Sequence, residues 1–159
     1  MTEATATTLQ SFLARATTKA AEDLIAAFER IPEDKRAWSP MGDARTAIDQ
    51  AAELAILNGS TCKLLDTRKW PENYDFNDYF KAKDELAAQG WDTVKALLEE
   101  NTKKAVATIS ALPDESLDQP VDMPWGPMTV AQIASYPYWN MCYHEGQVNY
   151  IASMLGCLG

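Results

Sequence analysis

Four blocks of this 159-residue chain repeat apolar residues at steps of three and four, and none shows the two-residue alternation of a half-buried strand. That pattern restricts the fold to packed helices. In the first block, about Thr7 to Arg30, the residues Leu9, Phe12, Leu13, Ala16, Ala20, Leu24 and Phe28 share one face. Thr7-Thr8-Leu9-Gln10 has the form of a capping box, and Pro32 ends the block. The second block opens at Thr46, where Thr46-Ala47-Ile48-Asp49 is another box. Its inner face, Ile48, Ala51, Ala52, Ala55, Cys62 and Leu65, is mostly small and permits close helix approach. Gly59 is tolerated there at a cost of about 1 kcal/mol.

After a polar and aromatic connection, "DTRKWPENYDFNDY", the stretch "DYFKAKDELAAQ" predicts a short helix. Gly90 separates it from a long helix over about 91–112, whose inner face is Val94, Leu97, Leu98, Ala105 and Ile109. A single helix kinked at Gly90 fits the same pattern. "PDESLDQPVDMPWGP" reads as a proline-rich loop. Thr129-Val130-Ala131-Gln132 is a third box, opening a last helix over 129–155 that stops at Gly156. Pro137 removes one hydrogen bond from that helix and predicts a kink. Four amphipathic helices, with a short extra helix before the third long one, predict an all-α four-helix bundle forming a single domain over 1–159.

A chain of this length buries roughly 70% of the surface it exposes when unfolded, so it needs no disulfide or structural metal to fold. The 14 Lys and Arg against 23 Asp and Glu leave a net charge of −9. The densest basic patch, Lys103-Lys104, follows Glu99-Glu100, with which it forms i, i+4 pairs on a solvated face. Nucleic acid and anionic membrane surfaces are therefore not expected partners. The start, "MTEATATTLQSFLARA", lacks the basic and apolar regions of a secretory leader, and no window has 18 consecutive apolar residues. Cys62, Cys142 and Cys157 form no CxxC motif or disulfide framework. Reduced thiols in a cytoplasmic protein are the expectation.

The last helix carries the only histidine in the chain. Its stripe runs Val130, Ile133, Ala134, Pro137, Met141, Val148, Ile151 and Leu155, and Asn140 and His144 fall on it, four residues apart. Gln147 lies one turn further on, where helix-surface polarity is the plainer reading. Glu53 stands at the edge of the inner face of the second helix. Buried polar groups must be hydrogen-bonded or cost on the order of 1–3 kcal/mol each. This cluster is therefore satisfied by its own members, by water, by a metal or by a ligand. His144 is expected to donate to Glu53 or to the Asn140 carbonyl.

The run "WNMCYHEGQVNYIASMLG", with Trp-Ser-Pro at 38–40 and a Thr-capped second helix, resembles the DinB/YfiT-like superfamily over nearly the whole chain. The resemblance implies a bacterial four-helix bundle, often a homodimer. It also implies one histidine on the second helix, in "HLA", and an HxxxH pair on the last helix. Those three imidazoles hold a divalent metal, zinc or nickel, and some members are thiol S-transferases. His144, before "EGQ", matches the second histidine of the pair. Asn140 stands at the first, and Glu53 stands at the histidine of "HLA".

The implied metal ligands are thus His144, Glu53 and Asn140, with two of three imidazoles replaced. An amide oxygen is a poor ligand for zinc. Cys142 faces the other way from His144 and does not repair the set. The expected cofactor is none, or a weakly held divalent ion such as zinc, nickel or manganese. Three functions stay open. One is a small-molecule pocket lined by His144, Asn140, Glu53 and Gln147. Another is a divalent-metal-dependent thiol transferase. The third is a structural or regulatory homodimer. Trp125 and Trp139 are candidates for a pocket mouth.

Overall fold

The computed structural model describes residues 7–159. The expectation that no leader precedes the domain rests in part on residues 1–6, which lie outside the described residues. Five helices carry the fold: α1 (Leu9–Glu29), α2 (Ala47–Thr67), α3 (Phe76–Ala88), α4 (Trp91–Ser110) and α5 (Val130–Met154). Gly90, at φ 89°, divides α3 from α4, so the chain makes two helices there and not one kinked helix. A small antiparallel hairpin leads into α5, with β1 (Pro120–Val121) and β2 (Met128–Thr129) pairing Pro120 to Thr129 and Val121 to Met128. This corrects the reading of that stretch as loop alone. Strands of two residues are too short to show alternation.

The four long helices form the bundle, and α3 packs on the outside of α2. α1 packs on α4 and α5, and α2 packs on the same two, which sets α1 and α2 on a diagonal. A simple up-and-down bundle places consecutive helices side by side. Here residues 30–46 link diagonal helices, anchored by the fully buried Ile31 and by Arg36, whose guanidinium lies 5.3 Å over the Phe28 ring.

Of the three capping boxes, one is complete. The Thr129 hydroxyl accepts from Gln132 N, and the Gln132 side chain accepts from Thr129 N. Thr46 accepts from Asp49 N, but the Asp49 carboxylate turns away to Arg45 and Lys83. The Thr7–Gln10 box does not form. Thr8 is the cap, and Gln10 is buried, donating to Leu112 O (3.0 Å) and to Asp114 (2.6 Å) beyond the end of α4.

The buried seam of α1 accordingly runs Gln10, Leu13, Thr17, Ala20, Ala21, Leu24, Ala27 and Phe28. Leu9 and Phe12, expected inside, are 42% and 47% exposed. The expected inner faces of α2, α4 and α5 are buried, with Ile48, Leu97 and Leu155 half-buried. α5 continues without a break through Pro137.

Two apolar clusters fill the bundle. Leu24, Phe28, Leu54, Leu98, Met141 and Val148 belong to one, and Leu13, Leu65, Ile109, Val121, Val130 and Ile133 to the other. Each such side chain contributes about 1.5–3 kcal/mol on burial. A buried polar contact joins α2 to α4, where Asn58 Nδ2 donates to Thr102 Oγ1 at 3.0 Å. Among the described residues, no helix is long and apolar enough to cross a membrane.

Candidate functional site

α5 and α2 face each other along a polar seam within this apolar interior. The 3.6-residue repeat stacks Tyr136, Asn140 and His144 on one side of α5, and Gln147 follows a turn later. Across from them α2 presents Gln50 and Glu53, and Arg45 precedes its first turn. His144 is 3% exposed. Its Nε2 lies 3.1 Å from Glu53 Oε1, and its Nδ1 lies 2.8 Å from Gln50 Oε1 and 3.0 Å from Gln147 Oε1.

The network continues outward. Arg45 Nη1 donates to Glu53 Oε2 at 2.6 Å and Arg45 Nε to Asp49 Oδ2 at 2.5 Å. Lys83, from α3, completes the chain with an ion pair to Asp49. Two cations and two carboxylates thus alternate: Lys83, Asp49, Arg45, Glu53. Burial alone would raise the Glu53 carboxyl, but the hydrogen bond from His144 and the Arg45 charge outweigh it and hold the group below its usual range. Burial raises the phenols of Tyr79 and Tyr136, and the Glu53 charge adds to it, so both stay protonated and able to donate.

An ionised Glu53 only accepts, so His144 Nε2 carries a proton and donates to it. Nδ1 then has two ways to be satisfied. A protonated ring donates to the Gln50 oxygen. A neutral ring accepts from the Gln147 amide after that amide turns by 180°. Either way both ring nitrogens are engaged.

This donor set does not fit a divalent metal as it stands. A metal ligand needs a free lone pair. His144 Nε2 is turned to Glu53, and the second Glu53 oxygen carries the Arg45 guanidinium, whose positive charge opposes a cation there. Asn140 offers only a neutral amide. Among the described residues, no group of three His, Cys, Asp or Glu side chains is placed to hold a metal ion.

Asn140 departs from expectation in another way. It is 3% exposed, and its Nδ2 has no hydrogen-bond partner. His144 bonds to Glu53, as expected, but not to Asn140. Gln147, which could have been plain surface polarity, reaches the imidazole. The reading from sequence missed Gln50, Arg45, Asp49 and Lys83 as site residues. Gln50 lies one turn before Glu53 on the same face, and Arg45 and Asp49 are an i, i+4 pair, so those signals were present. Lys83 enters from a separate helix, and its spacing gives no sign of it. Trp139 stacks on Tyr143 (centroids 5.6 Å), and Tyr143 meets the edge of His144 at 5.1 Å. Trp125 packs instead on Trp70, at 5.2 Å. Cys142 is exposed and Cys62 is buried.

Comparison with known proteins agrees with this architecture. The family model described as the DinB superfamily matches residues 16–148. Curated proteins yield no match. Among solved structures, the fold is similar to YfiT from Bacillus subtilis, with TM-score 0.75 and 16% identity over 98% of this chain and 93% of that one. YfiT is presented as "a probable metal-dependent hydrolase with an unusual four-helix bundle topology". An uncharacterised protein from Escherichia coli UTI89 has TM-score 0.72 and 19% identity over 93% and 95% of the two chains. A DinB-like protein of Bacillus subtilis, YjoA, has TM-score 0.65 and 13% identity over 91% and 92%. At such identities these likenesses speak of fold alone. The family model spans most of the chain, and the protein belongs to the DinB superfamily.

Proposed function

We propose that this DinB-superfamily protein binds a neutral, carbonyl-bearing small molecule at the α2–α5 seam, without a metal. The observation that carries the reading is the Asn140 amide, a donor buried at 3% exposure with no acceptor. Such a donor costs on the order of 1–3 kcal/mol unless something accepts from it. Tyr79 and Tyr136, kept protonated by burial and by the nearby Glu53 charge, add O–H donors. Within the chain Lys83, Asp49, Arg45 and Glu53, two cations already balance two carboxylates. A charged ligand would upset that balance, and a carbonyl oxygen would not. The thiol-transferase alternative needs a cation shared by His144 and Glu53, and the positive charge of Arg45 beside Glu53 opposes one.

Titration with 2-pyrrolidone, a neutral lactam, tests the reading by amide-resolved NMR. Saturable shifts are expected at Asn140, His144 and Tyr136, and none in Asn140→Leu. Absence of shifts in the native protein, or unchanged shifts in the variant, would overturn the ligand class. Without ligand, Asn140→Leu is expected to raise the unfolding free energy by about 1 kcal/mol, because it removes an unsatisfied buried donor.

A further inference from the structure

Two hollows lie elsewhere, between α2 and α4. One, of about 700 Å³, is lined by Ile56, Gly59, Cys62 and Asn101, and another, of about 470 Å³, by Leu65, Arg68, Leu112 and Pro113. They share Asp66, Ala107 and Thr108 and form one groove. No member of the His144 network lines it. Its size falls in the range of small-molecule sites, roughly 300–1,000 Å³.

Arg68 is the anomaly in this groove. It caps the C-terminus of α2 at φ 57° and ψ 26°, the only non-glycine residue with positive φ among the described residues. Glycine or asparagine is the usual occupant of such a position, because a Cβ is crowded there. Its Nη1 is buried with no hydrogen-bond partner. The chain has 23 acidic residues, yet no ion pair of the described residues includes Arg68. A left-handed backbone and a buried, unpaired guanidinium nitrogen, on a residue that lines the groove, are a costly arrangement with no ligand bound.

We propose that the α2–α4 groove is a second binding site, for an apolar carboxylate. The carboxylate sits on Arg68, whose planar fork matches its two oxygens. The apolar body lies along Leu65, Ala107, Ala111 and Leu112. Lys63 and Lys104 stand on the rim and favour an anion, although Lys104 also pairs with Glu100 at 2.6 Å, and Asp66 is the one acid of the lining.

The test titrates the full chain with octanoate, using 1-octanol as the uncharged probe of the same length. Octanoate is expected to give saturable NMR shifts at Arg68, Ala107 and Ala111. Binding of 1-octanol should be at least tenfold weaker. Arg68→Gly should weaken octanoate at least tenfold while melting no lower than the native protein, since glycine relieves the left-handed cap. Ala107→Trp fills the groove from an exposed position and should weaken octanoate by a similar factor. No octanoate binding, equal binding of the alcohol, or binding retained in either variant would overturn the proposal. If Arg68→Gly does not fold, Ala107→Trp decides. The site shares no residue with the α2–α5 seam, so either proposal can fail without the other.

Discussion

Glu53 joins the two halves of the seam, accepting from His144 on one oxygen and from Arg45 on the other. Its carboxyl titrates below the usual range, so it binds protons less readily folded than unfolded. A group depressed in the folded state contributes stability above its unfolded value and loses it as the pH falls through the folded value. Native protein should therefore lose stability more steeply than Glu53→Gln between about pH 5 and pH 3. At pH 7, urea unfolding should find Glu53→Gln less stable by about 1–2 kcal/mol, because Arg45 loses a charged partner. Parallel curves across the acid range would contradict this account. At the residue scale the sequence is legible where a polar side chain interrupts an apolar stripe, as with His144, Asn140 and Glu53. It is illegible where the partner arrives from another element. Nothing in the spacing around Lys83 indicates that it pairs with Asp49, 34 residues away.

Among the elements, α2 shows what a small residue does in a helix that must approach another. A Cβ on Gly59 would come within 2.7 Å of the Asn101 side chain, which crosses from α4 to donate to Ala55 O at 2.8 Å. Gly59→Ala gains about 1 kcal/mol of helix propensity and loses about as much by displacing that hydrogen bond. Thermal unfolding should show the single change as nearly neutral. Made in an Asn101→Ala background, the same change should stabilise by about 1 kcal/mol. Equal effects in both backgrounds would mean that Asn101 does not set the approach of the two helices. Helix number and rough bounds are readable from periodicity and Thr caps. The inner face of α1 is readable at Leu13, Ala20, Leu24 and Phe28 but not at its start, where Gln10 and Thr17 occupy the seam while Leu9 and Phe12 lie outside it. A rule that places apolar residues inward misplaces Leu9 and Phe12 in the first turn and overlooks the buried Gln10 and Thr17. The hairpin before α5 escapes notice because two-residue strands have no period.

For the whole molecule, the diagonal placement of α1 and α2 cannot be read from amphipathicity, which fixes the face that a helix buries but not its neighbour. That placement leaves α2 between α4 and α5. Its α5 side carries the imidazole seam and its α4 side the Arg68 groove. The polar seam is visible in outline from the polar residues on the apolar stripe of the last helix. Its closure by Arg45 is not, since that depends on a guanidinium reaching forward along the first two turns of α2.

The seam proposed here, closed by Arg45, binds its ligand without a metal. Elemental analysis of the purified protein, after incubation with zinc, nickel or manganese and removal of unbound ions, tests it directly. The account predicts well below one ion per chain under every loading, with the same result for His144→Ala. Close to one ion per chain in the native protein, lost in His144→Ala, would contradict it.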